Sequence, residues 1–129
     1  MIGTTGLDER PRDPELGGAV PFACEYDDGR ASLTLLNKRR VTQCALSRIC
    51  GVCGRPLGRP IAFVGTAREV GRNAFHAPPL HLTCAHELRA ASGADPGWET
   101  VTTAGFEFVR PNRDDEDRRP TFQPNSILA

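Results

Sequence analysis

The chain has 129 residues, with 16 basic and 16 acidic side chains, so its formal net charge is zero, and 39% of its residues are hydrophobic. This length allows one compact domain with tails and hardly two, and the modest apolar content favours a domain that a bound metal helps to stabilise. No apolar run approaches the roughly 20 residues that a membrane helix needs, and the first 18 residues lack the apolar stretch of a secretory signal. We therefore expect no membrane partner and predict a cytoplasmic protein.

The N-terminal third combines a polar segment with the signals of a hairpin and a helix. Positions 1–18 are polar, with glycine and proline, and we predict a disordered arm there. Two strand-like runs then flank Asp28-Gly29, a dipeptide typical of a tight hairpin turn. In residues 38–49 apolar side chains recur at every fourth position, which predicts a helix. Asn37 stands where that helix needs a cap.

The middle of the chain predicts a second hairpin with a helical turn inside it. The apolar run at residues 60–65 predicts a strand. Thr66 and Glu69 have the spacing of a capping box for one helical turn, and Gly71 is its predicted end. Residues 73–77 are the predicted return strand.

The C-terminal third predicts a helix, a strand and a tail. The helix is expected from Pro78 to about Ser92, because proline is favoured at the first helical position. One strand is expected over residues 98–111, and the charged, proline-containing residues 111–129 are a predicted mobile tail. The sequence thus predicts an α+β domain over residues 19–110.

Two pairs of side chains have the spacing of metal ligands. Cys50 and Cys53 form a C-x2-C pair, and after 27 intervening residues His81 and Cys84 are three positions apart. On a helix, positions three apart share one face, so the second pair can reach one ion. Zinc takes four nitrogen or sulfur ligands in a tetrahedron, and three cysteines with one histidine are a common structural set. We predict one Zn²⁺ bound by these four side chains.

The order of these ligands resembles a treble-clef zinc finger. The knuckle CGVCG comes first, then a β-hairpin, and then a helix whose first turn provides the last two ligands. The resemblance covers about residues 50–92 and implies a structural zinc, with the N-terminal hairpin and helix and the C-terminal strand as additions. The wider string RVTQCALSRICGVCGRPL…PPLHLTCA is similar to small, uncharacterised zinc-finger-like proteins of actinobacteria and their phages. That likeness implies no activity.

Other side chains compete for places in the predicted shell. Cys44, His76 and His86 are alternative ligands, and with Cys44 the cysteines reach the four that an iron–sulfur cluster requires. Cys24 and Cys44 equally suit buried apolar positions, where a free cysteine behaves as a small hydrophobe. The simplest alternative of all is that the C-x2-C pair is a pair of reduced thiols in a turn.

The ligand set predicts a structural rather than a catalytic metal. A catalytic zinc keeps three protein ligands and an open position near a general base, whereas four candidates fill the shell here. The sequence contains neither the deaminase pattern, with a glutamate two residues after a histidine ahead of a cysteine pair, nor a phosphate-binding glycine loop. We therefore assign no catalytic residue and favour a binding protein over an enzyme.

Charge is unevenly distributed although it sums to zero. Residues 37–93 carry nine basic and two acidic side chains, while the flanks are acidic, at −4 over residues 1–36 and −3 over residues 94–129. The candidate nucleic-acid- or anion-binding residues are Lys38, Arg39, Arg40, Arg48 and Arg72. The first three begin a helix, where positive charge is unfavourable against the helix dipole, so their position favours contact with an anion. We expect residues 114–117 to cover Arg39, Arg40 or Arg48.

These features leave three candidate functions. The first is a zinc-stabilised, non-enzymatic binding module that recruits a macromolecular partner, with a protein as the favoured partner. The alternative is a nucleic-acid-binding regulatory protein that uses the basic segment 37–93, because contacts between arginine and phosphate dominate such affinity. The third is an enzyme, or an enzyme accessory, for an anionic small molecule. The sequence pattern indicates no particular oligomeric state.

Overall fold

The computed structural model describes the backbone of residues 12–13 and 18–19 and all of residues 21–24, 36–91 and 94–125. Its elements in chain order are β1 (Arg12–Asp13), β2 (Gly18–Ala19), a 3-10 helix (Phe22–Cys24), α1 (Lys38–Ser47), β3 (Ile61–Gly65), α2 (Ala67–Arg72), β4 (Leu80–His81), α3 (Leu82–Ala90), β5 (Glu99–Thr103), β6 (Phe106–Val109) and β7 (Thr121–Pro124). The fold is mixed α+β with small antiparallel sheets, which agrees with the predicted class. Within the described ranges, no helix has the length and apolar character that crossing a bilayer requires.

β3 is the central strand of the molecule. It lies between β4 and β5 in a three-stranded antiparallel sheet, and all five of its residues are buried. A strand that is covered on both faces has a continuous apolar sequence instead of an alternating one, as IAFVG does. Successive side chains of a strand point to opposite faces, so β3 contributes to two separate clusters.

The two faces of β3 carry two hydrophobic cores. The thiol-side core consists of Cys50, Val52, Ala62, Val64, Leu80, Cys84, Ala85 and Leu88. The phenylalanine core consists of Ala23, Val41, Ala45, Ile61, Phe63, Phe75 and Phe122. Two of the predicted metal ligands are therefore part of one core and none is part of the other.

α1 begins at the predicted cap. The side chain of Asn37 accepts hydrogen bonds from the N–H groups of Arg39 and Arg40, at 3.1 and 3.4 Å. Those N–H groups have no partner inside the helix, so the cap stabilises the first turn. The helix ends at Arg48, whose backbone is left-handed with φ 52°. Its buried face consists of Val41, Cys44 and Ala45.

α2 begins with the predicted capping box and ends two residues later than predicted. The hydroxyl of Thr66 accepts from the Glu69 N–H, and the Glu69 carboxylate accepts from the Thr66 N–H. The helix continues through Gly71 to Arg72, and Asn73 takes the left-handed conformation, with φ 53°. Asparagine tolerates this conformation better than most residues with a side chain, so the end is at Asn73 and not at the glycine.

The predicted return strand at residues 73–77 is wrong. The strand that pairs with β3 is Leu80–His81, and Phe75 makes only an isolated bridge to a residue of β7. Pro78 and Pro79 lie between the two positions and have no N–H to donate to a ladder, so regular pairing starts after them. α3 therefore begins at Leu82 instead of at Pro78.

The predicted final strand is two strands in two sheets. The chain bends at Ala104-Gly105, where the Thr103 hydroxyl donates to the Gly105 carbonyl and accepts from the Gly105 N–H. β5 pairs with β3, whereas β6 pairs with β7. Phe122 of β7 is 0% exposed. The folded domain thus extends beyond the predicted boundary at residue 110, because one buried aromatic side chain draws residues 121–124 of the predicted tail onto the core.

The N-terminal expectations fall partly outside the described residues. β1 pairs with β2, so Arg12–Asp13, inside the predicted arm, is in a strand. Cys24 is buried as predicted, but in a 3-10 helix instead of a strand. The predicted turn at Asp28-Gly29 and most of residues 1–18 lie outside the described residues.

Candidate metal centre

The C-x2-C pair lies on a tight turn between α1 and β3. The Cys50 N–H donates to the Arg55 carbonyl, and the Gly54 N–H donates to the Cys50 carbonyl. Gly54 has a φ of 73°, a left-handed conformation that glycine adopts at little cost. A Cβ on Gly51 would lie 2.5 Å from Cγ of Pro78, so only glycine fits there. The two glycines of CGVCG therefore serve the turn and its packing.

The second ligand pair is brought to this turn by the sheet. His81 ends β4 and is the N-cap residue of α3, and Cys84 is the third residue of that helix. β4 pairs with β3, and the Gly51 N–H donates to the Pro79 carbonyl at 2.8 Å. These bonds fix the start of α3 against the turn, so two pairs that are distant in sequence become neighbours.

The four predicted ligands converge on one point. The Sγ atoms of Cys50, Cys53 and Cys84 and a ring nitrogen of His81 all lie within 4.8 Å of one another. His81 Nδ1 is 3.4 Å from Cys53 Sγ and 3.8 Å from Cys84 Sγ. Zinc bonds of about 2.3 Å to sulfur and about 2.0 Å to nitrogen hold these atoms about 3.5 Å apart in a tetrahedron. The cluster therefore has the donor types and the size that suit a zinc ion.

The contact of the second ring nitrogen of His81 determines which nitrogen points at the cluster. His81 Nε2 lies 2.8 Å from the Pro56 carbonyl oxygen, which can only accept. Nε2 therefore carries the proton, and the lone pair of Nδ1 points toward the three sulfurs. A histidine that ligates a metal commonly donates its second N–H in this way, which orients the ring and raises its basicity. Sequence patterns could not reveal Pro56 in this role, since it acts through its backbone.

Backbone donors favour negative charge on one of the thiols. The N–H groups of Val52 and His81 each lie 3.4 Å from Cys50 Sγ. A hydrogen bond from the Cys84 thiol, together with backbone hydrogen bonds from Cys53, His81 and Val52, outweighs the effect of burial and lowers the pKa of Cys50 to about 5. The same bond to Cys50 and burial raise the pKa of Cys84, and burial raises that of Cys53. Negative charge is thus favoured on Cys50, and a divalent cation would replace the protons of the neighbouring thiols.

The alternative ligands are placed elsewhere. Cys44 is fully buried, outside the group of converging donor atoms, and burial raises its pKa to about 12. Burial has the same effect on Cys24. His86 is exposed on α3. His76 is also outside that group, and its Nε2 is 3.4 Å from an Asp117 carboxylate oxygen. All five cysteines are free thiols in the structure.

Three of the predicted anion-binding residues lie at the start of α1. Lys38 and Arg39 are exposed there, and Arg40 is half-buried. The Arg40 guanidinium lies 4.4 Å from the centroid of the Phe22 ring, and its Nη1 donates to the Phe22 carbonyl at 3.5 Å. Arg40 therefore also ties α1 to the 3-10 helix.

The remaining two lie on other parts of the surface. Arg48 follows the C-terminus of the ten-residue α1, about 15 Å along the helix from Lys38, and stacks 4.7 Å from the centroid of the Phe106 ring. Arg72 ends α2 and lines a groove together with residues 114–117. Residues 114–117 thus lie beside Arg72, while their expected cover of Arg39, Arg40 or Arg48 stays a prediction.

Comparisons with known proteins add no assignment. A scan against protein-family models gives no match, and searches of the curated proteins and of the solved structures give none either. The chain's own residues are therefore the basis for assigning a role to the cluster.

Proposed function

We propose that this chain is a zinc-stabilised, non-enzymatic binding module that recruits a protein partner. This proposal rests on the convergence of three thiols and one oriented imidazole within 4.8 Å. Four protein donors fill a tetrahedral zinc, so such an ion has no open position for substrate or water. A closed shell of this kind stabilises a fold and supplies no Lewis acid to a reaction. The surface of the domain then carries the activity.

The order of elements supports a treble-clef assignment within this proposal. The knuckle at Cys50 is followed by β3, by its antiparallel partner β4, and by α3, with His81 and Cys84 at the helix start. α2 is inserted between the two strands, which makes this hairpin longer than a minimal one. The likeness to small proteins of actinobacteria and their phages stays a prediction of the sequence string. Since the ligands must be reduced to bind zinc, we propose the cytoplasm as the location.

Metal analysis tests the zinc assignment directly. Full-length protein purified without added metal should contain about one equivalent of zinc, and Cys84→Ser should lose it. Cys44→Ala is the matched control, because it removes a buried thiol outside the cluster and should leave the zinc in place. Iron in the wild-type protein, or full zinc occupancy in Cys84→Ser, would contradict the assignment.

Affinity capture tests the binding function. Zinc-loaded full-length protein should retain a protein from a lysate of its own source, and chelated protein should lose it, because the surface depends on the metal. Capture that persists after chelation, or that disappears on nuclease treatment, would contradict recruitment of a protein by the folded module.

Nucleic-acid binding is the second candidate, and the exposure of Lys38 and Arg39 at the start of α1 favours it. Phosphate contacts by such residues would give an affinity that falls steeply with salt. A gel-shift assay at two salt concentrations, with Lys38→Ala/Arg39→Ala as the variant, separates this candidate from the first. No shift at about 50 mM salt, where such contacts are strong, would leave protein recruitment alone.

A further inference from the structure

A groove of about 780 Å³ lies between α2 and the loop of residues 110–120, on the side of the phenylalanine core. Its lining carries both signs of charge, with Arg68 and Arg72 on α2 and a run of four carboxylates, residues 114–117, on the loop. The basic side chains are Arg68, Arg72, Arg110 and Arg119, and the acidic ones are Glu69, Asp114, Asp115, Glu116 and Asp117. Val109, one of two large hydrophobic side chains that are exposed in the described part of the chain, also lines this groove. None of these residues belongs to the metal cluster.

The helix that carries Arg68 and Arg72 is anchored at both ends. Arg68 and Arg72 are four residues apart on α2, so both project from one face of the helix. Glu69 lies between them, and both of its carboxylate oxygens accept hydrogen bonds, from the Thr66 and His76 N–H groups at 3.0 and 2.9 Å. The far end of the helix is tied down by Asn73, whose side chain donates to a β7 carbonyl at 2.9 Å.

The two arginines of α2 are exposed and unpaired among the described residues. Neither Arg68 nor Arg72 makes an ion pair or a hydrogen bond there, although a run of four carboxylates lines the same groove. Guanidinium groups present five N–H donors that match carboxylates in pairs. Arg68 and Arg72 therefore present donors for anions that the chain's own loop does not use.

The loop that carries the four carboxylates is hydrogen-bonded mainly within itself. Inside the loop, Asp115 bonds to Asn112, and Arg118 donates to the Arg113 carbonyl. Arg119 donates two side-chain bonds to Asp117, at 3.0 and 2.8 Å.

Among the described hydrogen bonds and ion pairs, those that join residues 112–120 to the remainder of the domain all end on His76. Its Nε2 is 3.4 Å from the Asp117 carboxylate, and its Nδ1 is 3.3 Å from the Pro120 carbonyl oxygen. Among these bonds, the loop is thus held beside α2 through a single side chain.

We infer that this groove docks an acidic segment of the partner protein, which takes the place of the chain's own residues 114–117 beside Arg68 and Arg72. The inference rests on the proposed function and names the surface that it would use. Recognition of acidic motifs by clustered arginines is a common mode of peptide binding. The four carboxylates of the loop act as an internal competitor, because they lower the potential beside Arg68 and Arg72 without pairing with either residue. An acidic segment of similar length fits a groove of this size, and Val109 offers an apolar contact beside it.

A labelled acidic peptide tests the inference with the full-length, zinc-loaded protein. The probe is a fluorescein-labelled peptide of six alternating aspartates and glutamates, followed by fluorescence anisotropy at low salt. Arg68→Ala/Arg72→Ala should weaken binding about tenfold, since two charge contacts are lost. Asp114→Asn/Asp115→Asn/Glu116→Asn should tighten it several-fold, because the competitor is neutralised while the Asp117 contact to His76 stays.

A matched control separates the groove from overall charge. Arg59→Ala/Arg89→Ala removes two exposed arginines that do not line the groove, and it should bind the peptide as the wild type does. Zinc content and Trp98 fluorescence verify that each variant is folded. Equal loss in both arginine pairs, no gain on loop neutralisation, or no measurable binding to any form would overturn the inference.

Two further outcomes keep this inference distinct from the proposed function. If Arg68→Ala/Arg72→Ala still captures the cellular partner while retaining zinc, the assignment of the docking site to the groove is wrong, whereas the proposed binding function is not affected. If an oligonucleotide of six nucleotides competes as well as the peptide does, the groove recognises anions generally, and its assignment to an acidic protein segment is overturned.

Discussion

The two faces of β3 pack against cores of different composition. In the phenylalanine core, three fully buried aromatic rings meet, with Phe63 and Phe75 stacked at 5.4 Å between centroids and Phe63 at 5.9 Å from Phe122. In the thiol-side core the largest buried side chains are Leu80 and Leu88, and the others are valine, alanine and cysteine. An aromatic side chain buries about 150–250 Å², which small residues cannot match.

The difference indicates where a metal is needed. On one face, apolar area supplies most of the stabilisation, because each buried phenylalanine contributes several kcal/mol at about 25 cal/mol per Å². On the other face, Cys50 and Cys84 occupy core positions that would otherwise hold large apolar side chains. A zinc ion at the proposed site would link these two thiols in place of that missing area. Both faces share β3, so each core depends on the other for the strand that it packs against.

The largest expected effect is therefore that of removing zinc. Chelation should abolish the folded state of residues 50–92, and of the phenylalanine core with them, because structural zinc contributes on the order of 10 kcal/mol in small domains. Trp98 packs against the thiol-side core and is the one tryptophan of the chain, so its emission reports this loss. Amide exchange on β6 and β7 measures the second core. Unchanged emission and protection after complete chelation would mean that the thiol-side core holds without metal.

The next effect is expected from the opposite core. Phe122→Ala should lower the free energy of unfolding by about 3–5 kcal/mol, because it leaves a cavity among three other rings. Since the ligands lie on the other face of β3, the folded fraction should keep its full zinc content. Phe122→Leu, which preserves most of the volume, should cost clearly less and serves as the control. A change below 1 kcal/mol in denaturant titration, well under the usual cost of such a cavity, would show that β7 is not docked on the core.

The same contrast explains how far the sequence alone could predict the molecule. Signals that lie within a few residues were sufficient to predict the caps of α1 and α2 and to identify Cys50 and Cys53 as a pair of candidate ligands. The second ligand pair could be found as well, since three-residue spacing and the chemistry of zinc restrict the choice. The orientation of the His81 ring could not be predicted from the sequence, because it depends on the backbone carbonyl of Pro56.

Long-range packing is where the sequence was insufficient. The polar composition of residues 111–129 predicts a mobile tail, yet Phe122 pairs with Phe75, 47 positions earlier, through an isolated bridge and two backbone hydrogen bonds. A single aromatic residue gives no periodic pattern, so its burial depends on a partner that only the fold identifies. The second sheet depends on long-range contact in the same way, because β6 pairs there with β7.

A smaller effect tests whether the phenylalanine side relies on local helix structure. Thr66→Ala removes one half of the capping box and should lower the free energy of unfolding by about 1 kcal/mol. α2 contacts the phenylalanine core through Val70, so the loss should appear first as faster amide exchange in α2. Thr83→Ala, at an exposed position of α3, is the matched control and should be close to neutral. Equal effects of both variants would mean that the cap does not stabilise α2.

The smallest effect concerns the charged loop that joins β6 and β7. The Arg119 guanidinium holds the pKa of the Asp117 carboxyl well below its usual range, so this group is ionised at neutral pH. Asp117→Asn weakens the contacts to Arg119 and to His76, but the pair is exposed, and such pairs contribute about 0–1 kcal/mol. We therefore expect no shift in denaturant midpoint beyond that range, and faster amide exchange confined to residues 112–120. Raising the salt from about 50 mM to about 500 mM should remove most of the difference between variant and wild type, because exposed charges are screened within a few ångströms. If Asp117→Asn instead destabilised the whole domain as Phe122→Ala does, the phenylalanine side would depend on charge as much as on apolar packing.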